Sequence, residues 1–320
     1  MPSPIFVVGR NRSGTKWLSN ILANHPDVAS VQRPGAGGIL ENFLPQMSIL
    51  FGDLSIDENY YGFTTCFAQT NLFKLTGFDE QVLYTKRINN YYGFFRYIMD
   101  LYGQKEGKSY WLHKANSLQL EEICLEFPDA KIIIIQRDVE DNIRSTVGLR
   151  RLNNIQPPPG GVIRDVSGYY FYQKVESRFQ ERGNVFTTKY ELLKENKERT
   201  VASICDFIGI KYDAHMLVDR FRENTSFRNG ISKEEILTKQ DLIAIKLFSP
   251  IFKVLPWQLY QTTAKFAHHI RGVRPTDKRF MSLEFTLLEQ ELKLKQSPAQ
   301  AEPIDVSHVG KINEFPETAD

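Results

Sequence analysis

Residues 131–136 read Lys-Ile-Ile-Ile-Ile-Gln. Four consecutive isoleucines leave no polar face, and β-branched side chains favour extended backbone. Such a run fits a strand buried on both faces, as in the interior of a parallel sheet covered by helices on each side. An α/β architecture follows if other strands and helices alternate with it, and they do. Residues 4–8, 110–112 and 184–189 read as strands. Helical spacing of apolar residues marks 15–22, 117–127, 139–153, 166–182, 191–196 and 198–208. The alternation predicts a central parallel sheet flanked by helices on both faces. Residues 41–107 read as a mostly helical insertion crowded with aromatics, and beyond about 212 the chain reads as helices and loops.

Composition supports a folded chain and excludes several classes. Of 320 residues, 42% are hydrophobic and 24% charged, so the chain is neither disordered nor low-complexity. A net charge of +2 argues against bulk electrostatic binding to nucleic acid. Cys66, Cys124 and Cys205 are few and far apart, without Cys-x-x-Cys spacing. That excludes a disulfide framework or zinc knuckle and fits a reducing, cytoplasmic setting. The apolar run at 5–8 is too short for a signal-peptide core. The stretch 242–266 is interrupted by Lys246, Pro250, Lys253, Pro256 and Lys265, so it does not read as a membrane span. No metal-ligand pattern is present; His268 and His269 are adjacent and cannot face one ion from a helix.

The most informative segment joins the first strand to the first helix. Gly9-Arg10-Asn11-Arg12-Ser13-Gly14-Thr15-Lys16-Trp17 is a glycine-bearing turn rich in cations and hydroxyls. Backbone N–H groups at a helix N-terminus attract anions, so this is a phosphate or sulfate cradle by chemistry. Gly9 and Gly14 keep the G-x-x-x-x-G spacing of a nucleotide phosphate loop, but Thr15-Lys16 inverts the usual Lys-Ser/Thr order. One residue rotates a helical side chain by about 100°. Lys16 therefore points away from where such a lysine grips phosphates, and Arg12 is the cation placed to curl over the loop.

Arg12-Ser13-Gly14-Thr15 followed by Trp17-Leu18 resembles the 5′-phosphosulfate loop of the sulfotransferases that use 3′-phosphoadenosine 5′-phosphosulfate (PAPS). Further segments resemble that family in the same order. A strand ends at Arg137, with Ser145 eight residues later; Tyr190-Glu191 follows another strand; Phe227-Arg228-Asn229-Gly230 resembles its Arg-Lys-Gly segment, with Asn229 in place of lysine. The resemblance implies a P-loop-NTPase-like sulfotransferase fold, PAPS as donor, 3′,5′-ADP as product and no metal. Arg10, Asn11, Arg12, Ser13, Gly14, Thr15, Lys16 and Trp17 would hold the 5′-phosphosulfate. Arg137 and Ser145, with Arg228, Asn229 and Gly230, would hold the 3′-phosphate, and Tyr190 would line the adenine.

The implied reaction is in-line transfer of a sulfuryl group to a hydroxyl or amine, with Arg12 stabilising the departing phosphate. The base is open between two residues: Glu41, after the glycines of 35–38, and His113, read as lying at the end of the 110–112 strand. Glu41 is narrowly preferred. The acceptor is a small molecule, carbohydrate or lipid; aromatic walls suit all three. Homodimerisation is an expectation from the family. The domain reading is an α/β unit over 1–232 containing the 41–107 insertion, a helical C-terminal extension over 233–295 packed on it, and a disordered tail over 296–320. A P-loop kinase or NTPase and a non-catalytic nucleotide-binding module are the alternatives.

Overall fold

The computed structural model describes residues 1–31, 38–218, 235–256 and 258–260. The expected last helix and tail lie outside the described residues. Five strands form one parallel sheet: β1 (Ser3–Val8), β2 (Val28–Ser30), β3 (Tyr110–Ala115), β4 (Lys131–Gln136) and β5 (Val185–Lys189). Their order is β2-β3-β1-β4-β5. In register, Phe6 of β1 lies opposite His113 of β3 and Ile132 of β4.

Helix α1 (Thr15–Ala23) links β1 to β2. Between β2 and β3 come a π-helical turn (Ile39–Phe43), α2 (Leu44–Phe51), α3 (Asp57–Ala68), α4 (Asn71–Thr76) and α5 (Tyr91–Lys105). Further α-helices among the described residues are α6 (Leu120–Glu126), α7 (Val139–Leu152), α8 (Gly161–Ser177), α9 (Tyr190–Glu195), α10 (Lys197–Ile208) and α11 (Lys239–Val254). No described helix is long and apolar enough to cross a membrane.

The isoleucine strand is buried as its composition requires: Ile132 to Ile135 are all 0% exposed. Full burial of one such side chain is worth about 2–3 kcal/mol. The four together outweigh the roughly 1 kcal/mol range of strand propensity. Ile133 and Ile135 pack with Leu18 and Leu22 of α1 and with Ile204 and Ile208 of α10. On the other face Phe6 meets Trp111 and Phe127 edge-on, with ring centroids 5.5 and 5.0 Å apart. Phe95 of α5 closes that face 5.8 Å from Trp111. A third cluster joins Ile143 of α7, Val166 and Tyr169 of α8, and Ile245 of α11. In the insertion Phe63, Phe67 and Phe94 are fully buried against one another, so these rings fill a helical core.

The element boundaries differ from the sequence expectation in three places. β2 is an additional strand of three residues along β3, too short to show a period of two. β3 runs three residues past Leu112, which puts His113 inside the strand instead of at its end. α8 starts at Gly161 because Gly160 takes a left-handed conformation (φ 85°) and turns the chain into the helix. It stops at Ser177, and the stretch to 182 forms tight turns, with Arg182 N–H donating to the Phe179 carbonyl.

Chain connections leave β1 and β4 toward opposite edges of the sheet. A crevice therefore opens at the carboxyl ends of these two neighbours, the switch point where α/β sheets take ligands.

Candidate active site

Two segments meet at that crevice: the loop after Val8 and the β4–α7 junction beginning at Arg137. Gly9 tolerates no side chain, since a Cβ there would lie 2.6 Å from the Ile135 carbonyl oxygen. Gly14 is equally constrained; it has φ +97°, and a Cβ would lie 2.5 Å from the Tyr190 ring. The loop thus lies directly on β4 and on the first residue of α9. Helix α1 has no side-chain N-cap and no acidic residue in its first turn. Its leading N–H groups and dipole face the loop without an internal anionic partner, which suits a phosphate or sulfate group.

Arg12 sits in the left-handed region with φ 71°. Its Nε donates to Ser145 Oγ at 3.0 Å, and its carbonyl accepts from Arg137 Nη1 at 3.1 Å. Burial lowers the Arg12 pKa first, and the nearby charge of Arg137 lowers it further, with Tyr190 opposing. An anion between the two guanidiniums would offset that repulsion. Arg137 is itself buried, stacks over the Tyr190 ring at 4.3 Å, and its Nε makes no hydrogen bond among the described residues. Trp17 lies 5.4 Å from Tyr190, ring to ring. The fold therefore brings together Arg12, Gly14, Trp17, Arg137, Ser145 and Tyr190, which are spread over nearly 180 residues of sequence. Ser145 is buried, not solvent-facing.

The other loop residues divide. Ser13 and Thr15 are buried, whereas Asn11 and Lys16 are exposed. Arg10 is tied to α7 and α8 and lines a small cavity with Ser13 and Arg137. It donates to Asn142 Oδ1 at 2.7 Å and to the Asp165 carbonyl at 3.2 Å, and lies over the Tyr169 and Tyr172 rings. Burial lowers its pKa, and Asp165 counteracts. Arg228, Asn229 and Gly230 lie outside the described residues.

The two candidate bases occupy different settings. Glu41 belongs to the π-helical turn and is mostly buried, with Oε1 3.8 Å from Lys114 Nζ. Its Oε2 makes no hydrogen bond among the described residues. Glu41 also acts electrostatically on Tyr172, the ring that covers Arg10. His113 shares the Phe6 face of the sheet and packs edge-on against Phe95 at 5.0 Å. Its Nε2 makes no hydrogen bond among the described residues, and burial, with Lys114 adding, lowers its pKa to about 3.

Three polar residues of the site carry no motif. Asn142, fully buried on α7, bonds three loop residues. Glu176, on α8, is buried and accepts from Ser117 Oγ at 2.5 Å and Gln136 Nε2 at 2.8 Å. Burial raises its pKa. Asp165 takes a two-pronged ion pair from Arg150, both contacts at 2.7 Å. The one available signal is a polar residue among the inward-facing positions of a helix: Asn142 adjoins Ile143 and precedes Ser145 by three. Among the described residues, no group of three or more His, Cys, Asp or Glu could hold a metal ion.

Solved structures similar to this chain include a mouse sulfotransferase complexed with PAP (14% identity, 79% of this chain and 86% of that one, TM-score 0.45). A sulfotransferase from Mycobacterium avium matches at 15% identity, covering 78% and 75%, with TM-score 0.43. One from Alicyclobacillus acidocaldarius matches at 17% identity, covering 81% and 99%, with TM-score 0.41. No curated protein matches the chain in sequence. The model of the sulfotransferase family matches residues 4–214, which span all five strands and every described residue of the Arg12–Arg137 cluster. By that match, the chain belongs to the sulfotransferase family.

Proposed function

We propose that the protein transfers a sulfuryl group from PAPS to a hydroxyl or amine of an acceptor. One observation carries this reading: the half-buried Arg12 and the buried Arg137 meet beside the uncapped N-terminus of α1. That arrangement asks for more than one anionic group, and PAPS offers a 5′-phosphosulfate and a 3′-phosphate. The residues fit it. The first-turn N–H groups of α1 and Thr15 hold the 5′-phosphate. Arg137, with its free Nε hydrogen, and Ser145 hold the 3′-phosphate, and Tyr190 with Trp17 walls the adenine. Planar guanidinium forks suit such oxyanions better than a lysine point charge.

In the transfer, the bond from sulfur to the phosphate oxygen breaks as a bond from sulfur to the acceptor oxygen forms. Arg12 neutralises the negative charge that grows on the departing phosphate, and it does so as a fixed cation, since a guanidinium keeps its proton. Glu41 takes the acceptor's proton. Its free Oε2, on a side chain that acts on the Tyr172 ring over Arg10, supports this assignment, whereas the His113 imidazole is buried against Phe95. Arg10 braces the loop through Asn142 and the Asp165 carbonyl.

Calorimetry without magnesium tests the reading. The expected result is binding of 3′,5′-ADP in preference to ATP, with at least a tenfold loss in Arg137→Ala. A preference for ATP, or indifference to Arg137, would return the chain to the phosphate-loop kinase or non-catalytic readings.

A further inference from the structure

We propose that Asn142 is a positioning residue: it fixes the backbone of Arg12 in the left-handed conformation that aims its guanidinium at the anion site. The inference rests on the sulfuryl-transfer reading for its functional meaning and on loop geometry for its structural part.

Asn142 stands on the first turn of α7 and is 0% exposed. Its Nδ2 donates to the Asn11 carbonyl and to Ser13 Oγ, both at 3.1 Å. Its Oδ1 accepts from Arg10 Nη1 at 2.7 Å. The three partners therefore flank Arg12 on both sides and leave Arg12 itself untouched. Reversing the amide would point Nδ2 at the Arg10 guanidinium, donor against donor, so the network admits one orientation.

Arg12 needs such a clamp. A φ of 71° is disfavoured for any residue with a Cβ, and it persists only where the surroundings over-determine it. Arg137 holds the Arg12 carbonyl, and Ser13 N–H donates to the Arg10 carbonyl at 3.1 Å, so the peptide after Arg12 is already fixed, whereas the peptide before it is not held by these two contacts. Asn142 holds that preceding peptide through the Asn11 carbonyl and adds a hold on the Ser13 side chain. Ser145, three residues on and so on the same face of α7, receives Arg12 Nε. One rigid helix thus sets both the backbone and the head of the arginine. Arg10 completes the clamp by tying Asn142 to the Asp165 carbonyl of α8.

The test has two arms. Hydrogen exchange needs no ligand. Asn142→Ala should accelerate exchange of the amides across 9–15 about tenfold or more. The acceleration should shrink when Arg12→Gly is combined with it, because glycine adopts φ 71° without strain. Asn142→Asp keeps the acceptor for Arg10 and removes both donors, so it should loosen the same amides if the alanine variant does not fold. Calorimetry with 3′,5′-ADP gives the second arm. Asn142→Ala should weaken binding about tenfold in the wild type and less than twofold in the Arg12→Ala background, since it acts through Arg12. A merely structural residue would cost the same factor in both backgrounds, and that result would overturn the proposal. So would unchanged loop exchange. Failure of the wild type to bind 3′,5′-ADP would sink the sulfuryl-transfer reading instead, while the exchange arm would still decide the role of Asn142.

Discussion

Replacing His113 with leucine should change how stability depends on pH. In the folded chain the imidazole is buried against Phe95 and held neutral, with its pKa near 3. In the unfolded chain it titrates at about 6.5. The native pKa is the lower of the two, so between these values only the unfolded state takes up the proton. Stability from this group is complete above about pH 6.5 and is lost as pH falls toward 3. Protonation of the unfolded state is negligible at pH 7.5. At pH 5.0 it favours unfolding by about 2 kcal/mol, from RT ln(1 + 10^1.5). Leucine has nearly the same volume and no proton to gain. Urea unfolding of both proteins at the two pH values isolates His113, because every other titrating group cancels in the difference. The wild type should lose about 2 kcal/mol more than His113→Leu on going from pH 7.5 to 5.0. Parallel losses would mean that His113 titrates normally in the folded chain. Its burial would then not govern its protonation, and it would return as a rival to Glu41 for the base.

Glu41→Gln should lower turnover by a factor of about 10²–10⁴, the usual contribution of a general base, while calorimetry finds 3′,5′-ADP binding unchanged. His113→Leu should keep turnover within a few-fold at pH 7.5; a loss as deep as that of Glu41→Gln would reverse the assignment. Gly14→Ala should destabilise the fold by about 1–3 kcal/mol in thermal unfolding and weaken 3′,5′-ADP binding, because its Cβ meets Tyr190 at 2.5 Å and its φ is +97°. Normal binding in that variant would show that the loop can reshape around Tyr190.

The sheet was legible because its signals are local. Four isoleucines can bury two faces only inside a covered sheet, and the turn at 9–14 lies directly between a strand and a helix. Arg137 could be read from its place at the end of that strand. What sequence alone did not reveal lies in pairings across long separations. Asn142 meets Arg10 across 132 residues, and Asp165 meets it across 155. No periodicity encodes such contacts. The different fates of Arg10 and Arg12 were hidden for another reason. The two are alike in type and two residues apart, yet Arg12 reaches Ser145 and Arg10 reaches Asn142 and the Asp165 carbonyl. The strand expected to end at Leu112 continues through His113 and Lys114 to Ala115, and the Lys114 ammonium lies near Glu41.

The middle strand of the sheet is also synthesised before the other four described strands. β1 has β3 on one side and β4 on the other, and both partners are encoded more than a hundred residues later. During synthesis β1 therefore waits with both edges open until residue 115 has emerged, and with one edge open until residue 136. Such distant pairings make folding slow, and the open edges are exposed to other chains meanwhile. The loop that aims Arg12 hangs from that same strand. Arg137 follows β4, so its contact with the Arg12 carbonyl forms only once β1 and β4 have paired.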